Sequence, residues 1–249
     1  MERRRASWGL AVAVACAIAA ALWSAQQRSR VRELLMSDPD TLPARGALYA
    51  SARAAGARAF AQHCAVCHGA QGQGDPHRGA PSLADRDWLY GNGSISALEW
   101  TITHGIRAPD PRSWNLAIMP AYATPTPGTL AGITPLDPPQ IRDLVEYLLA
   151  LEQRAHDAAA AARGDALFHG AGACFDCHGT DARGDTAIGA PNLTDAIWLA
   201  GDGSRAALFA TIARGQRGVC PAWGQQLEPA TIRALAVYVH ALAAAGPHR

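Results

Sequence analysis

The sequence predicts an all-α protein in which two tandem copies of one small domain follow a single N-terminal transmembrane helix. Three observations carry this prediction: an uncharged N-terminal stretch, a repeat that aligns the chain with itself, and apolar stripes at helical spacing without strand-like alternation. At 249 residues the chain accommodates two domains of roughly 100 residues plus a short extension. A net charge of +1 argues against a nucleic-acid partner.

The N-terminal segment predicts a membrane anchor. Residues 6–25 carry no charge, and twenty helical residues span about 30 Å, the thickness of a bilayer core. The arginines at positions 3–5 favour an N-terminus that stays in the cytoplasm. The alternative is a signal peptide that is cleaved after Ala25, but bulky Trp23 occupies a position where such a cleavage site requires a small residue. We therefore expect an uncleaved anchor over residues 1–30, followed by a connector over residues 31–46.

The rest of the chain is a tandem duplication. A shift of 110 residues superimposes the sequence on itself over a long stretch without a gap. Two copies are too few for a solenoid, so each copy is expected to be a self-contained domain, over residues 47–153 and 154–249. The matching residues include Cys64 and Cys174, Cys67 and Cys177, His68 and His178, Pro81 and Pro191, Leu83 and Leu193, Asp85 and Asp195, and Trp88 and Trp198.

Both copies show the same order of predicted helices. A first helix covers residues 49–66 in one copy and 155–175 in the other, and a Gly/Pro-rich loop follows each. Ser94 and Ser204 are expected to cap short helices. A last helix opens at Asp137-Pro138 and at Glu228-Pro229, because proline is tolerated in the first helical turn.

Each copy contains a Cys-x-x-Cys-His motif, at Cys64, Cys67 and His68 and again at Cys174, Cys177 and His178. In this pattern two thiols bind the porphyrin covalently and the histidine becomes the proximal iron ligand. A zinc half-site would need further Cys or His pairs, and a redox dithiol would need a flanking strand. The motifs therefore predict two covalently bound haem c groups in two class I cytochrome c-like domains.

The distal ligands are expected to differ between the two haems. Met119, followed by Pro120, is predicted to ligate the iron of His68. The second copy has no methionine, and Cys220-Pro221 occupies the corresponding position, so a Cys220 thiolate is the first hypothesis for the iron of His178. A five-coordinate or water-ligated iron remains open, and so does a switch to His240 or His169.

Two aligned arginines are candidate cofactor contacts. Arg107 and Arg217 match in the repeat, and a guanidinium is a natural partner for a haem propionate. The sequence shows no catalytic triad, P-loop or dinucleotide-binding fingerprint, so we expect no catalytic residues in this chain.

The region after each haem motif resembles a known family. The segments Gly189–Leu199 and Gly218–Trp223 closely resemble the dihaem subunit III of cbb-type haem–copper cytochrome c oxidases, and Gly79–Gly91 is similar to the first haem domain of that subunit. The resemblance covers roughly residues 40–245. It implies an electron-transfer subunit that takes electrons from a donor cytochrome and delivers them to a catalytic core. Members usually ligate both haems through methionine, so Cys220 is a departure.

These observations together predict a single-pass protein of the bacterial inner membrane whose haem domains lie in the periplasm, where haem c is attached. Its expected partners are other subunits of a membrane oxidase or redox complex and a donor cytochrome. One alternative is a cytochrome subunit or carrier for a periplasmic dehydrogenase. Another, of a different class, is a haem sensor or a dihaem peroxidase that uses the second haem.

Overall fold

The computed structural model describes residues 2–124 and 135–246, with side chains from residue 14 onward. Within these ranges the protein is helical and contains only isolated β-bridges. A short 3-10 helix covers Pro39–Ala44. The α-helices are α1 Glu2–Met36, α2 Gly46–His63, α3 Ala65–His68, α4 Ile95–His104, α5 Pro138–Leu151, α6 Ala158–Phe168, α7 Phe175–His178, α8 Arg205–Arg214 and α9 Pro229–Ala245.

The helix starts follow the sequence signals. The Ser94 and Ser204 hydroxyls each accept a hydrogen bond from a backbone N–H three residues later, at 3.2 Å. Asp137 forms a reciprocal capping box with Gln140, in which both hydrogen bonds measure 2.8 Å. Helix α6 ends at Phe168, earlier than predicted, because the chain turns back there: the N–H groups of Gly170 and Gly172 both donate to the Leu167 carbonyl.

The helices of the two sequence repeats are exchanged. Helix α2 of the first repeat packs against α9 of the second, and α5 of the first repeat packs against α6 of the second. Glycines permit both crossings: a Cβ at Gly56 would lie 2.0 Å from the carbonyl oxygen of Ala234, and one at Gly164 would lie 2.1 Å from that of Asp143. The backbones of the paired helices therefore touch.

Two hydrophobic cores result. The outer unit contains α2, α3, α4 and α9, with Phe60, Ile95 and Leu235 fully buried. The inner unit contains residues 119–124 and helices α5 to α8, with Ile141, Phe168 and Leu208 fully buried. The inner unit is thus built from one stretch of chain, whereas the outer unit joins the two ends of the duplicated region.

The long helices therefore pair across the two repeats, residues 47–153 and 154–249, whereas the sequence predicts that each repeat encloses its own core. The short connection explains the exchange. Only residues 152–157 separate α5 from α6, and a link of this length favours an antiparallel helix pair. Because α2 and α6 are equivalent helices with a glycine at the crossing point, α6 can take the place of α2 beside α5.

Arg233 joins the N-terminal helix to the outer unit. This arginine is buried on α9, and its guanidinium donates to the Glu99 carboxylate on α4 at 2.5 Å. It also donates to the carbonyls of Leu34 and Ser37, both at 3.1 Å, at the C-terminal end of α1. Leu34 itself lies in the outer core. The end of α1 is therefore fixed to the outer unit.

In the part of the chain that the structure describes, no helix combines the length and the apolar character of a membrane span.

Candidate haem sites

The two proximal histidines are held in the same way. Nδ1 of His68 lies 2.9 Å from the carbonyl oxygen of Pro81, and Nδ1 of His178 lies 2.9 Å from that of Pro191. Burial lowers the pKa of each imidazole, which keeps the ring neutral. A neutral ring that donates from Nδ1 presents the lone pair of Nε2, as an iron-ligating histidine does.

The attachment cysteines lie on the short helices α3 and α7 beside these rings. Burial raises the pKa of the Cys64 thiol to about 12 and that of the Cys174 thiol to about 11. Cys67 is exposed and Cys177 is half-buried. Each pair thus lies at the border between a core and solvent, which suits a haem that has one exposed edge.

The loops that follow the two motifs touch each other. The Gly91 N–H donates to the Thr186 carbonyl at 3.2 Å, and the Gly201 N–H donates to the Pro76 carbonyl at 3.4 Å. The two proximal loops therefore form a direct contact between the outer and inner units, and the two sites adjoin.

Met119 lies at the second motif. Its carbonyl accepts a hydrogen bond from the Gln216 N–H at 3.1 Å, and its side chain packs against the inner core together with Cys174. Nearby, the Tyr122 hydroxyl donates to the Gly172 carbonyl at 2.7 Å, and Cys174 Sγ lies 3.9 Å from that hydroxyl.

Cys220 lies at the first motif. Its backbone pairs with Ile106 just beyond α4. The Trp223 ring that follows packs on the ring of His63, next to Cys64, at a centroid distance of 5.2 Å. Burial first, and then the neighbouring Cys67, raises the pKa of the Cys220 thiol to about 11. The thiol is therefore protonated near neutral pH until a metal displaces its proton.

The structure places the two predicted distal residues at the opposite motifs from those that the sequence pairs them with. The sequence pairs Met119 with His68 and Cys220 with His178, whereas the structure places Met119 on the His178 side and Cys220 on the His68 side. The physical reason is again the helix exchange. The two distal segments, the stretches around Met119 and Cys220, precede α5 and α9 in the chain, and each lies in the same unit as the helix that follows it.

The remaining candidate residues have other contacts. Arg107 donates to two backbone carbonyls and to Tyr90, whereas Arg217 is exposed and makes no side-chain hydrogen bond to the described residues. Nδ1 of His240 lies 3.0 Å from the Gly93 carbonyl, and His169 contacts Asp165 and the Thr180 carbonyl. Neither histidine is placed at a distal face.

Two further residues, which the sequence did not predict as cofactor contacts, are candidates for these sites. The indole N–H of Trp198 is buried without a hydrogen-bond partner among the described residues, and its ring packs against the inner core. A buried N–H without a partner at this position is suited to donate a hydrogen bond to a bound cofactor, for example to a haem propionate. The second residue is Tyr90. It is buried, and its match in the repeat is Ala200, so a comparison of the two copies is the signal that could have found it.

Helical units with Cys-x-x-Cys-His helices and carbonyl-anchored histidines define a c-type cytochrome, which carries covalently bound haem c. The family model described as cytochrome c matches residues 53–152, and the model described as cytochrome C oxidase, cbb3-type, subunit III, matches residues 159–239.

Three curated relatives are similar over most of the chain. The cbb3-type cytochrome c oxidase subunit CcoP of Cereibacter sphaeroides is 40% identical over 211 residues, which cover 85% of this chain and 68% of the relative. The CcoP subunit of Rhodobacter capsulatus is 42% identical over 84% of this chain and 69% of its own length. The FixP subunit of Azorhizobium caulinodans is 42% identical over 78% of this chain and 61% of its own length.

The chain belongs to the family of cytochrome c subunits, subunit III, of cbb3-type cytochrome c oxidases. It is accordingly an electron-transfer subunit and not the subunit that reduces oxygen, which confirms the resemblance identified from the sequence.

Proposed function

We propose that the chain carries two haem c groups, each ligated by both sequence repeats. The outer haem is bound by Cys64 and Cys67, with His68 as proximal and Cys220 as distal ligand. The inner haem is bound by Cys174 and Cys177, with His178 and Met119 as ligands. The observation that carries this proposal is the exchange of the distal segments between the two units.

The ligand sets make the two haems unequal. Haem c supplies one-electron exchange between ferrous and ferric iron. Thiolate ligation by Cys220 favours the ferric state of the outer site, whereas the Met119 thioether favours the ferrous state of the inner site. The contact between the proximal loops, at Gly91 with Thr186 and Gly201 with Pro76, would hold the two haem-binding sites side by side, as electron exchange within one chain requires.

In this scheme the subunit takes electrons from a donor cytochrome and delivers them to the catalytic core of a cbb3-type oxidase. The relatives carry the name of that oxidase, which supports the oxidase subunits as partners. A freestanding carrier for a dehydrogenase would bind no oxidase subunit. Purification from membranes tests this point, since the oxidase subunits should co-purify with the chain.

Single-haem variants test the ligand assignment. Replacing Cys174 and Cys177 by serine leaves only the outer haem, whose ferric electron paramagnetic resonance spectrum should show a low-spin thiolate signature. Cys220→Ala should abolish that signature in this background, and Met119→Ala should leave it unchanged. The converse result, a response to Met119→Ala alone, would contradict the exchanged ligation. Absorbance of the pyridine haemochrome of the wild-type chain should give two haems per chain.

We also propose that residues 6–25 anchor the protein in the bacterial inner membrane, with both haem units in the periplasm. The exposed apolar side chains of Val14, Ile18 and Leu22 recur every four residues along α1 and form one face. The intact mass of the mature protein tests the anchor. An unprocessed N-terminus is expected, and a chain that begins near Gln26 would show that the segment is a cleaved signal peptide.

A further inference from the structure

The Arg107 side chain contacts both distal segments. Its Nε donates to the Gly218 carbonyl at 2.5 Å, and its Nη1 lies 3.3 Å from the Ala117 carbonyl. Gly218 precedes Cys220 by two residues, and Ala117 precedes Met119 by two residues. One guanidinium therefore holds the equivalent point of each distal segment.

The backbone around Arg107 strengthens this arrangement. Arg107 adopts a φ of +51°, in the left-handed region, and its N–H donates to the Trp114 carbonyl at 2.8 Å. The preceding residue, Ile106, pairs with Cys220 itself. No carboxylate among the described residues forms a salt bridge with Arg107. The donors of its guanidinium are thus free to serve the carbonyls.

Tyr90 orients the guanidinium and connects it to a third element. The Tyr90 hydroxyl lies 3.0 Å from Nη1 of Arg107. The Tyr90 ring occupies the space beside Gly189, where a Cβ would lie 2.1 Å from the ring. Gly189 stands two residues before Pro191, whose carbonyl anchors His178. The network therefore reaches the proximal loop of the inner haem as well as both distal segments.

The repeat does not duplicate this network. Arg217, which corresponds to Arg107, is exposed and makes no side-chain hydrogen bond within the described ranges. Ala200, which corresponds to Tyr90, has no hydroxyl. In the described part of the chain, Arg107 thus contacts both distal segments, whereas the corresponding residue, Arg217, contacts neither.

We propose that Arg107 is a positioning residue that couples the distal ligands of the two haem sites, so that displacement of one ligand loosens the other. The proposal rests on the exchanged ligation proposed above. When one distal segment moves, the guanidinium loses one of its two carbonyl partners, and the remaining contact holds the other segment less firmly.

Imidazole, which competes with distal ligands for ferric haem, is the probe for the test. Arg107→Gln should increase the imidazole affinity of both haems by about tenfold or more, since each segment loses a hydrogen bond from a charged donor. The thiolate electron paramagnetic resonance signal of the outer haem and the methionine-to-iron charge-transfer band of the inner haem should weaken together. Arg217→Gln, the matched control, should change neither signal.

Further variants keep the test decisive. Arg107→Lys retains the charge but not the fork of donors, so recovery of both signals by lysine would overturn the two-armed contact. If Arg107→Gln fails to fold, Tyr90→Phe removes only the orienting hydroxyl and should shift both haems in the same direction by a smaller factor. A change at one haem alone, in either variant, would overturn the coupling.

Spectra of the protein with Arg107 intact separate the two proposals. If its single-haem variants show no exchanged ligation, the proposed ligand assignment itself is contradicted. Exchanged ligation in the wild type, with both haems unaltered in Arg107→Gln, would contradict only the coupling.

Discussion

Ile106 and Cys220 pair through two reciprocal backbone hydrogen bonds, of 2.9 and 3.0 Å, although they belong to different sequence repeats. This pairing fixes the distal segment of the second repeat over the haem motif of the first. Met119 and Gln216 form the corresponding bridge on the other side. In the proposed ligation, each haem therefore takes its proximal ligand from one repeat and its distal ligand from the other.

Restoring methionine at position 220 should convert the outer haem into an ordinary carrier. A thioether stabilises ferrous iron relative to a thiolate, so Cys220→Met should raise the outer reduction potential by a sizeable fraction of the roughly 0.8 V that axial ligands span. Potentiometric titration monitored by visible spectra measures the change, and the thiolate signature should disappear from the electron paramagnetic resonance spectrum.

The inner haem supplies the internal control for this substitution. Its potential should remain close to the wild-type value in Cys220→Met, because its proposed ligands are His178 and Met119. A large shift of the inner haem with an unchanged outer haem would show that Cys220 serves the His178 iron after all.

Removing Arg233 should detach the N-terminal helix from the outer unit. Arg233→Met leaves the Glu99 carboxylate and the carbonyls of Leu34 and Ser37 without their shared donor. Breaking such a buried pair costs about 3–5 kcal/mol in free energy of unfolding. Thermal unfolding of the solubilised haem-loaded protein measures the loss, and limited proteolysis of residues 37–46 should become faster.

Arg142 is the matched control for Arg233. It occupies the same place on α5, directly after Ile141 as Arg233 follows Ile232, but it is exposed and forms no side-chain hydrogen bond with described residues. Arg142→Met should leave both the unfolding temperature and the proteolysis rate near the wild-type values. Equal destabilisation by the two substitutions would rule out the specific role of Arg233.

The helices and haem motifs could be predicted from the sequence because their signals are local. Ser94, Ser204 and Asp137 cap helices through bonds to residues three positions away, and each Cys-x-x-Cys-His motif needs only its own short helix. The repeat likewise predicted two sites with the same haem-attachment motif. These features depend on spacing along the chain, which the sequence contains in full.

Which of two equivalent helices packs against a given partner helix could not be predicted from such local signals. Helices α2 and α6 each carry a glycine at the crossing point, Gly56 or Gly164, so either can pack beside α5 or α9. The length of residues 152–157 favours the observed pairing, and the exchanged positions of the segments around Met119 and Cys220 follow from it. The network of Arg107 with Tyr90 depends on the same exchange, because its carbonyl partners belong to both repeats.

Enlarging the crossing glycines should reveal which helices pair. Gly56→Ala forces a methyl group against the carbonyl of Ala234, and this overpacking costs roughly 1–3 kcal/mol. This loss of stability should exceed the gain of about 1 kcal/mol that comes from the higher helix propensity of alanine relative to glycine. Hydrogen exchange measured by mass spectrometry should then show lower amide protection in α2 and α9 together.

The location of the lost protection distinguishes the two arrangements. Gly164→Ala should weaken α5 and α6, and Ala50→Ser, at an exposed position of α2, should weaken neither pair. Loss of protection in α2 and α5 after Gly56→Ala would instead show that each repeat folds on itself.

Glu146 should make the inner unit sensitive to acid. Its carboxylate accepts two hydrogen bonds from Arg205, at 2.6 and 3.0 Å, and one from the Asp157 N–H at 2.8 Å, so it joins α5 to the starts of α6 and α8. Arg205 first, and then this N–H, lowers the pKa of Glu146. A lowered pKa means that the stabilisation is complete above the pKa of an unfolded glutamate, about 4.3, and is lost as the pH falls through the lower pKa of the folded state.

Glu146→Gln should therefore lower the free energy of unfolding near neutral pH by about 1–2 kcal/mol, since Arg205 is largely exposed. The gap in unfolding free energy between the variant and the wild type should close in acid. Urea unfolding monitored by circular dichroism across this pH range measures the gap. Glu228→Gln, at an exposed residue that makes no side-chain capping bond, should give no gap at any pH. A gap for Glu146→Gln that persists unchanged in acid would mean that packing, and not the charge of the carboxylate, holds these helices together.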